Sequence, residues 1–344
     1  MNKSPNIDPI LDAPVTPLSS NIRESVNIKN IPAPYTGIDP RLKLLSHSSR
    51  TVLHKCPRKY QLYRLNSIDS EEELDLMKEV TFAYGTVVGM GIQSVLLGHD
   101  EDTVLFLMFL AWNVDLDARD DRRKKSFSEA VFAVQRFMNI VDNGYLKDYE
   151  LVQYKGTPAI ELGFWIHLPD EFSHRGFADA VLQHKITKKV LVLECKTTSS
   201  NADSAMYKNS GQAIGYSVVL DHLFEHLSSY TVLYLVYQTK SKEFVEFYFD
   251  KSLLQRAIWL QELIIDMETI KLYEEYETYP MHGEVCFDFY KPCEYLGLCT
   301  LHTSNLTKPF SEADKARIEA DLNKYHFHVD FFNLVESQID KSER

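Results

Sequence analysis

The sequence predicts an α/β fold, a mixed β-sheet flanked by helices with further helical segments at both ends. Three observations predict it. Helical periodicity dominates the first 150 residues; alternating β-branched and aromatic runs then take over; one helix interrupts those strands, giving the order β-β-β-α-β-β. With 344 residues, 44% hydrophobic and 25% charged, the chain can bury a sizeable core, which excludes collagen-like, wholly disordered and disulfide-scaffold classes.

Residues 1–40 hold seven of the thirteen prolines and no periodicity, so an extended or disordered arm is expected. Arg41 to Arg64 carries seven Lys or Arg and no acid, interleaved with Leu53, Tyr60, Leu62 and Tyr63, as on one face of a basic amphipathic helix. Helices are expected over 82–98, 101–116 and 126–143, the last with Phe127, Val131, Val134, Met138 and Val141 at helical spacing. Strands are expected over 159–168, 176–183, 189–197, 230–237 and 244–249, with a helix at about 209–225. A helix over 253–277 leads to a cysteine-bearing stretch. A single acidic helix from Ser311 to Ile339 closes the chain, opened by the capping-box pattern Ser311 to Asp314. The chain thus divides at 41–150, 151–250, 251–300 and 301–344.

The longest apolar run, Val104 to Trp112, is far short of the roughly 20 residues a bilayer span needs, and no signal peptide is evident. A cytoplasmic protein is expected. The net charge of -12 argues against non-specific nucleic-acid binding, but the basic 41–64 stretch is a local exception. In such a chain the five cysteines are expected to be buried, catalytic or metal-bound rather than paired.

Chemistry concentrates between Arg175 and Ser199. Asp179 lies on one strand and Glu194-Cys195-Lys196 on the next, and alternation puts Glu194 and Lys196 on one face with Cys195 on the other. Asp179, Glu194 and the Cys195 backbone carbonyl are hard oxygen donors suited to Mg2+ or Mn2+. Such an ion polarises a scissile phosphate and lowers the pKa of a water, which Lys196 would orient. A surface cross-strand ion cluster would show the same short pattern. Gln212 and Tyr216, four apart on the following helix, project from one face towards the same end of the sheet.

The order Asp, Glu-x-Lys, Gln-x-x-x-Tyr resembles the PD-(D/E)XK nuclease superfamily, in particular its RecB-like branch, over about 41–300. The resemblance implies a restriction-endonuclease-like core over 151–250 with a helical N-terminal part over 41–150. It implies catalysis by Asp179, Glu194 and Lys196, with Gln212 and Tyr216 positioning substrate. Two departures stand out. Gly89, in the helix that begins at Gly85, stands where those nucleases place a metal-binding histidine, and Gln93, one turn on, could contact a water at the metal instead. Glu161 could approach the metal from the preceding strand, opposite in face to Ile160, Leu162, Phe164 and Ile166. His174 reads as a turn residue.

Ser46-His47-Ser48-Ser49 followed by Cys56-Pro57-Arg58-Lys59-Tyr60 resembles the N-terminal helix of the iron-sulfur members of that branch, of the AddB, CRISPR-adaptation and phage type. Cys286-x6-Cys293-x5-Cys299 lies where they place three more ligands, although the first gap is longer than theirs. With Cys56 this supplies the four thiolates of a 4Fe-4S cluster; a four-cysteine zinc site and free thiols are the alternatives. Cys195 is left for core packing.

The resemblance implies a DNA exonuclease of recombination, repair or phage DNA metabolism, acting on ends or single strands beside a helicase or recombination partner, in a bacterial or phage-infected cell. Arg50, Lys55, Arg58 and Lys59 would contact phosphates, as would Lys124, Lys125, Lys185, Lys188 and Lys189, and Tyr60 and Tyr63 could stack bases. The competing class is a nuclease-fold binding or assembly protein whose missing histidine reflects weakened catalysis.

Overall fold

The basic N-terminal stretch folds as two short helices, α1 (His47–Lys55) and α2 (Pro57–Arg64), preceded by strand β1 (Leu44–Ser46). Cys56 between the helices is extended, and Pro57 cannot donate the amide that would continue α1. The computed structural model describes residues 37–65, 76–112, 125–224, 230–288, 291–301 and 309–342. The expected Pro-rich arm lies outside them up to residue 36.

Three helices follow, α3 (Leu76–Leu96), α4 (Glu101–Ala111) and α5 (Phe127–Asp142). The α4 helix ends at Ala111, short of the expected 116. The strands are β2 (Tyr149–Leu151), β3 (Gln153–Tyr154), β4 (Thr157–Pro158), β5 (Ile160–His167), β6 (Ser173–His184) and β7 (Val190–Thr198). Helices α6 (Ala205–Lys208) and α7 (Gly211–Leu223) lead to β8 (Tyr230–Gln238) and β9 (Glu243–Asp250). The chain then runs through α8 (Leu253–Glu275), β10 (Phe287–Asp288), β11 (Lys291–Pro292), α9 (Glu312–Leu322), β12 (Phe327–Asp330) and α10 (Phe331–Ser342).

The main sheet has the order β12-β5-β6-β7-β8-β9, with β1 and β2 also paired to β6. It is mixed: β7–β8 and β12–β5 are parallel, while β5–β6, β6–β7 and β8–β9 are antiparallel. A parallel pair needs a crossover, which α7 provides between β7 and β8.

Strand alternation feeds two cores. Val190, Val192, Val232 and Tyr234 pack with Val218 of α7, Trp259 and Leu263 of α8, and Leu334 of α10. Leu191, Leu193, Leu233 and Leu235 pack on the other face with Val88 of α3, Met108 of α4 and Val134 of α5. Gly91 lets α3 close on its neighbours, since a Cβ there would stand 2.5 Å from Val134.

The single C-terminal helix expected from Ser311 to Ile339 does not form. Between α9 and α10 the chain is extended, with Phe327 and Val329 buried and His328 and Asp330 exposed, a period of two rather than 3.6. The open edge of β5 supplies the backbone partners that hold it so. Among the described residues no helix is long and apolar enough to cross a membrane.

Candidate active site

The β6–β7 ladder runs from Gln183↔Val190 to Ala180↔Leu193 and then stops. At the next row the Asp179 carboxylate takes over, accepting the Cys195 backbone N–H at 2.8 Å. The β5–β6 ladder is interrupted at the same row, between Ile160↔Ala180 and Leu162↔Ala178. Continuing both registers places Glu161, Asp179 and Glu194 side by side across three strands. Glu194 itself pairs with Tyr234 of β8.

Glu161 has φ +48°, a left-handed conformation uncommon for a residue with a Cβ. Its effect is to switch the face of the strand. Ile160 packs in the α3–α5 core whereas Leu162 joins the opposite one, so the expectation that these two share a face is corrected. Ala178 and Ala180 divide between the two cores in the same way.

Three carboxylates in one row repel. Asp179 is pushed well above the ordinary carboxylate range, first by burial and then by Glu194, against the opposing pull of the Cys195 amide and Lys196. Glu161 stands open to solvent at the cleft, yet the surrounding walls, and Glu194 beyond them, also raise it. Its carboxylate accepts a hydrogen bond from Gln93 at 2.6 Å. Burial alone would lower the Lys196 ammonium, but Glu194 at 2.5 Å and Asp179 outweigh it and hold it above its ordinary value. Cys195 faces the α3–α5 core as expected, and burial pushes its thiol well up, which suits packing rather than reactivity.

A relay extends from this row. Lys196 Nζ donates to Gln212 Oε1 at 3.3 Å, Gln212 Nε2 to the Tyr216 hydroxyl at 2.6 Å, and that hydroxyl to the Phe177 carbonyl at 2.6 Å. The structure therefore brings together Asp179, Glu194, Lys196, Gln212 and Tyr216, and adds Glu161 and Gln93 beside them. Glu161, Asp179, Lys196, Gln212 and Tyr216 line a cleft of about 620 Å³.

Gly89 lies on the same α3 face as Gly85, which abuts Thr197, and Gln93, which holds Glu161; a Cβ at position 89 would meet nothing within 4 Å. The place of the missing histidine is open space. The cleft also has walls: Ser46, His47 and Ser48 of the motif at the start of α1, and, with no signal in the local sequence pattern, Asp321 at the end of α9 and Lys324 and Tyr325 just after it. His174 is a buried strand residue lining the cleft rather than a turn residue.

The donor set suits a hard divalent cation. Glu194 Oε2 is buried without a hydrogen-bond partner, and Asp179 carries a charge its neighbours disfavour; a cation between them would answer both. Among the described residues, however, no three His, Cys, Asp or Glu side chains are arranged to hold a metal ion.

That absence of a three-ligand group covers the cysteines too, so it does not support the expected cluster. The four thiols nevertheless share a neighbourhood. Cys299 is raised by burial and by Cys293, Cys56 and Cys286 around it. Arg58 ties the segment to α2, donating to the carbonyls of Leu301 at 2.6 Å and Cys299 at 3.3 Å.

Several expected DNA contacts are corrected. Arg50 is buried and ion-paired with Asp266, Arg58 is buried under the cysteine segment, and Tyr60 is buried with its hydroxyl on the Leu42 carbonyl. Arg58 and Tyr60 spend polar groups inside the fold, whereas Arg50 Nη2 is buried without a hydrogen-bond partner, 3.6 Å from Glu262. Lys59 pairs with Glu294 at 3.3 Å, while Lys55 is on the exposed side of α1. Lys185, Lys188 and Lys189 lie at the β6–β7 turn, whereas Asp179 is midway along β6, and Lys188 pairs with Glu150. Lys125 donates to the Thr81 hydroxyl, and Lys124 lies outside the described residues.

The chain matches the sequence model of the PD-(D/E)XK nuclease superfamily over residues 44–300. No curated protein matches it. Among solved structures, a protein from Eubacterium rectale named as a candidate exonuclease is 12% identical, with a TM-score of 0.46 over 80% of this chain and 93% of that one. SSO0001 is 15% identical, with a TM-score of 0.25 over 63% of this chain and 84% of its own. The sequence match spans most of the chain and covers the strands and the helix that carry Asp179, Glu194, Lys196, Gln212 and Tyr216. The protein belongs to the PD-(D/E)XK nuclease superfamily.

Proposed function

We propose that this chain is a metal-dependent DNA nuclease, an exonuclease hydrolysing phosphodiester bonds at DNA ends or single strands. The observation that carries this reading is the row Glu161–Asp179–Glu194 with Lys196 beside it in an open cleft. Asp179, Glu194 and the Cys195 carbonyl would hold Mg2+ or Mn2+, with Glu161 and Gln93 at the margin. Such an ion, held there, would supply positive charge to the scissile phosphate and acidify an attacking water. Lys196, kept cationic by Glu194, offers a donor to charge developing on the phosphate. Gln212 and Tyr216 fix the Lys196 ammonium through the relay to the Phe177 carbonyl.

The open space at Gly89 favours one second reading, a nuclease-fold DNA-binding protein with weakened catalysis. End-labelled single- and double-stranded DNA, incubated with and without Mn2+, separates the two. Shortening of the label that disappears in Lys196→Ala supports the nuclease. DNA that is bound but never cut with Mn2+ supports the binding protein.

We propose further that Cys56, Cys286, Cys293 and Cys299 hold a 4Fe-4S cluster as a structural staple. Supporting this are the electrostatic influence of the other three thiols on Cys299 and the Arg58 tie between the two segments. Protein purified without oxygen should carry about four iron atoms per chain. Zinc in place of iron would favour the four-cysteine zinc site, and neither metal would reject both.

A further inference from the structure

The cleft has one wall that the family match does not reach. The match ends at residue 300, while Asp321, Lys324 and Tyr325 line the cleft together with Asp179 and Lys196. This wall is part of the sheet rather than a loose tail. β12 pairs with β5 from Phe327↔Phe164 to Asp330↔His167. Just before it, His326 is fastened to Gly163 twice, its backbone N–H donating to the Gly163 carbonyl and its Nδ1 accepting the Gly163 N–H, both at 2.9 Å.

The aromatic geometry at this wall is specific. The Tyr325 ring lies nearly parallel to Phe177 at 4.9 Å and edge-on to Trp165 at 5.1 Å. Gly163 makes room for the arrangement, because a Cβ there would stand 2.7 Å from the Phe177 ring and 3.3 Å from the Lys324 carbonyl oxygen. Phe177 is two residues from Asp179 on one strand, about 7 Å along it, so the ring pair stands one short step from the carboxylate row. Tyr325 and Phe177 are only partly covered, and both line the cleft.

Charge accompanies the rings. Lys324 is exposed and touches Asp321 at 2.6 Å, and Arg175 bridges Asp321 at 3.3 Å while lying over Trp165. A partly open ring pair flanked by cations, beside a hydrolytic row, matches what unpaired nucleic acid requires: a face for a base and a charge for the adjoining phosphate. A duplex keeps all but its terminal base faces stacked, so it offers the ring pair no splayed base.

We infer that the Asp321–Tyr325 segment is a substrate-binding wall, in which Tyr325 on Phe177 stacks an unpaired base and Lys324 meets the neighbouring backbone phosphate. The cleft then selects single-stranded over blunt duplex DNA. This rests on the nuclease reading for the identity of the substrate, but its test does not require cutting.

The test is fluorescence anisotropy with a labelled single-stranded oligonucleotide and a blunt duplex, using the full chain in EDTA. The single strand should bind more tightly than the duplex. Tyr325→Leu should weaken single-strand binding about tenfold, Tyr325→Phe should restore it, and Lys324→Ala should make the salt dependence shallower by about 0.7 in slope. Lys324 is exposed, so its variant reports even if substitutions at Tyr325 disturb folding. Equal binding by wild type and both the Tyr325→Leu and Lys324→Ala variants, or tighter binding of duplex, would overturn the wall. Metal-dependent degradation by the wild type is scored separately, so a failed wall and a failed nuclease reading give different results.

Discussion

Asp179 accepts the backbone amide of Cys195 at the row where β6 and β7 cease to pair, so a side chain replaces a ladder hydrogen bond. The exchange opens a notch in the sheet and leaves a carboxylate in it, at the cost of crowding Asp179 with Glu194 and Glu161. The predicted consequences of this arrangement, and of the packing around it, concern both activity and stability.

Asp179→Asn keeps an acceptor for the Cys195 amide and removes one charge from the row. Metal-dependent cleavage should fall at least about 100-fold, as when a group acting on the reacting phosphate is lost. The melting temperature in EDTA should rise, because the repulsion with Glu194 and Glu161 is relieved. An unchanged cleavage rate would reject the assignment, and a lower melting temperature would reject the repulsion.

Folding should be acid-sensitive through histidines at the cleft. His47 is lowered to about 4 by burial, then by Lys196 and Arg50, and His174 is pushed well down by burial, Arg50 and His47. Each binds fewer protons folded than unfolded, so its contribution is complete above the unfolded value near 6.5 and is lost as pH falls towards the folded one. Asp179 and Glu161, both raised, act in the opposite sense, which a variant comparison cancels. Urea unfolding at pH 7 and pH 5 should show a smaller acid loss in His47→Gln than in wild type. Equal losses would contradict it.

Two glycines on α3 should respond oppositely to alanine. Gly89→Ala fills open space and removes a flexible helix residue, so a gain of about 0.5–1 kcal/mol is expected. Gly91→Ala drives a methyl to 2.5 Å from Val134 and 2.9 Å from Met108, and should cost about 1–3 kcal/mol. Denaturant midpoints of the two variants check both signs.

Arg50→Ala should act on stability. It strips Asp266 of its buried partner, leaving the carboxylate with His54 alone at 2.6 Å, and a loss of about 3–5 kcal/mol is expected. Chemical unfolding measures it. A variant as stable as wild type, with weakened DNA binding, would return Arg50 to the role its charge suggested.

The sequence by itself determined the α/β class and the strands from Ile160 to Asp250, and it singled out Asp179, Glu194, Lys196, Gln212 and Tyr216 as candidates, because period and motif spacing are local properties. Cys195 was likewise legible, since alternation alone turns it to the core. Which basic residues face solvent was not: Arg50 and Arg58 lie in a basic run, yet the partners that bury them, Asp266 and the Cys299–Leu301 carbonyls, come from more than 200 residues away. The C-terminal segment departs from its sequence pattern for the same reason. Its spacing suits a helix, and only the unpaired edge of β5 makes the extended form at Phe327 to Asp330 the better hydrogen-bonded choice. Tyr325 reaches the cleft by that pairing, and Glu161 reaches the carboxylate row by register with Asp179 and a left-handed backbone. Such placements depend on long-range partners and are decided only when the sheet closes.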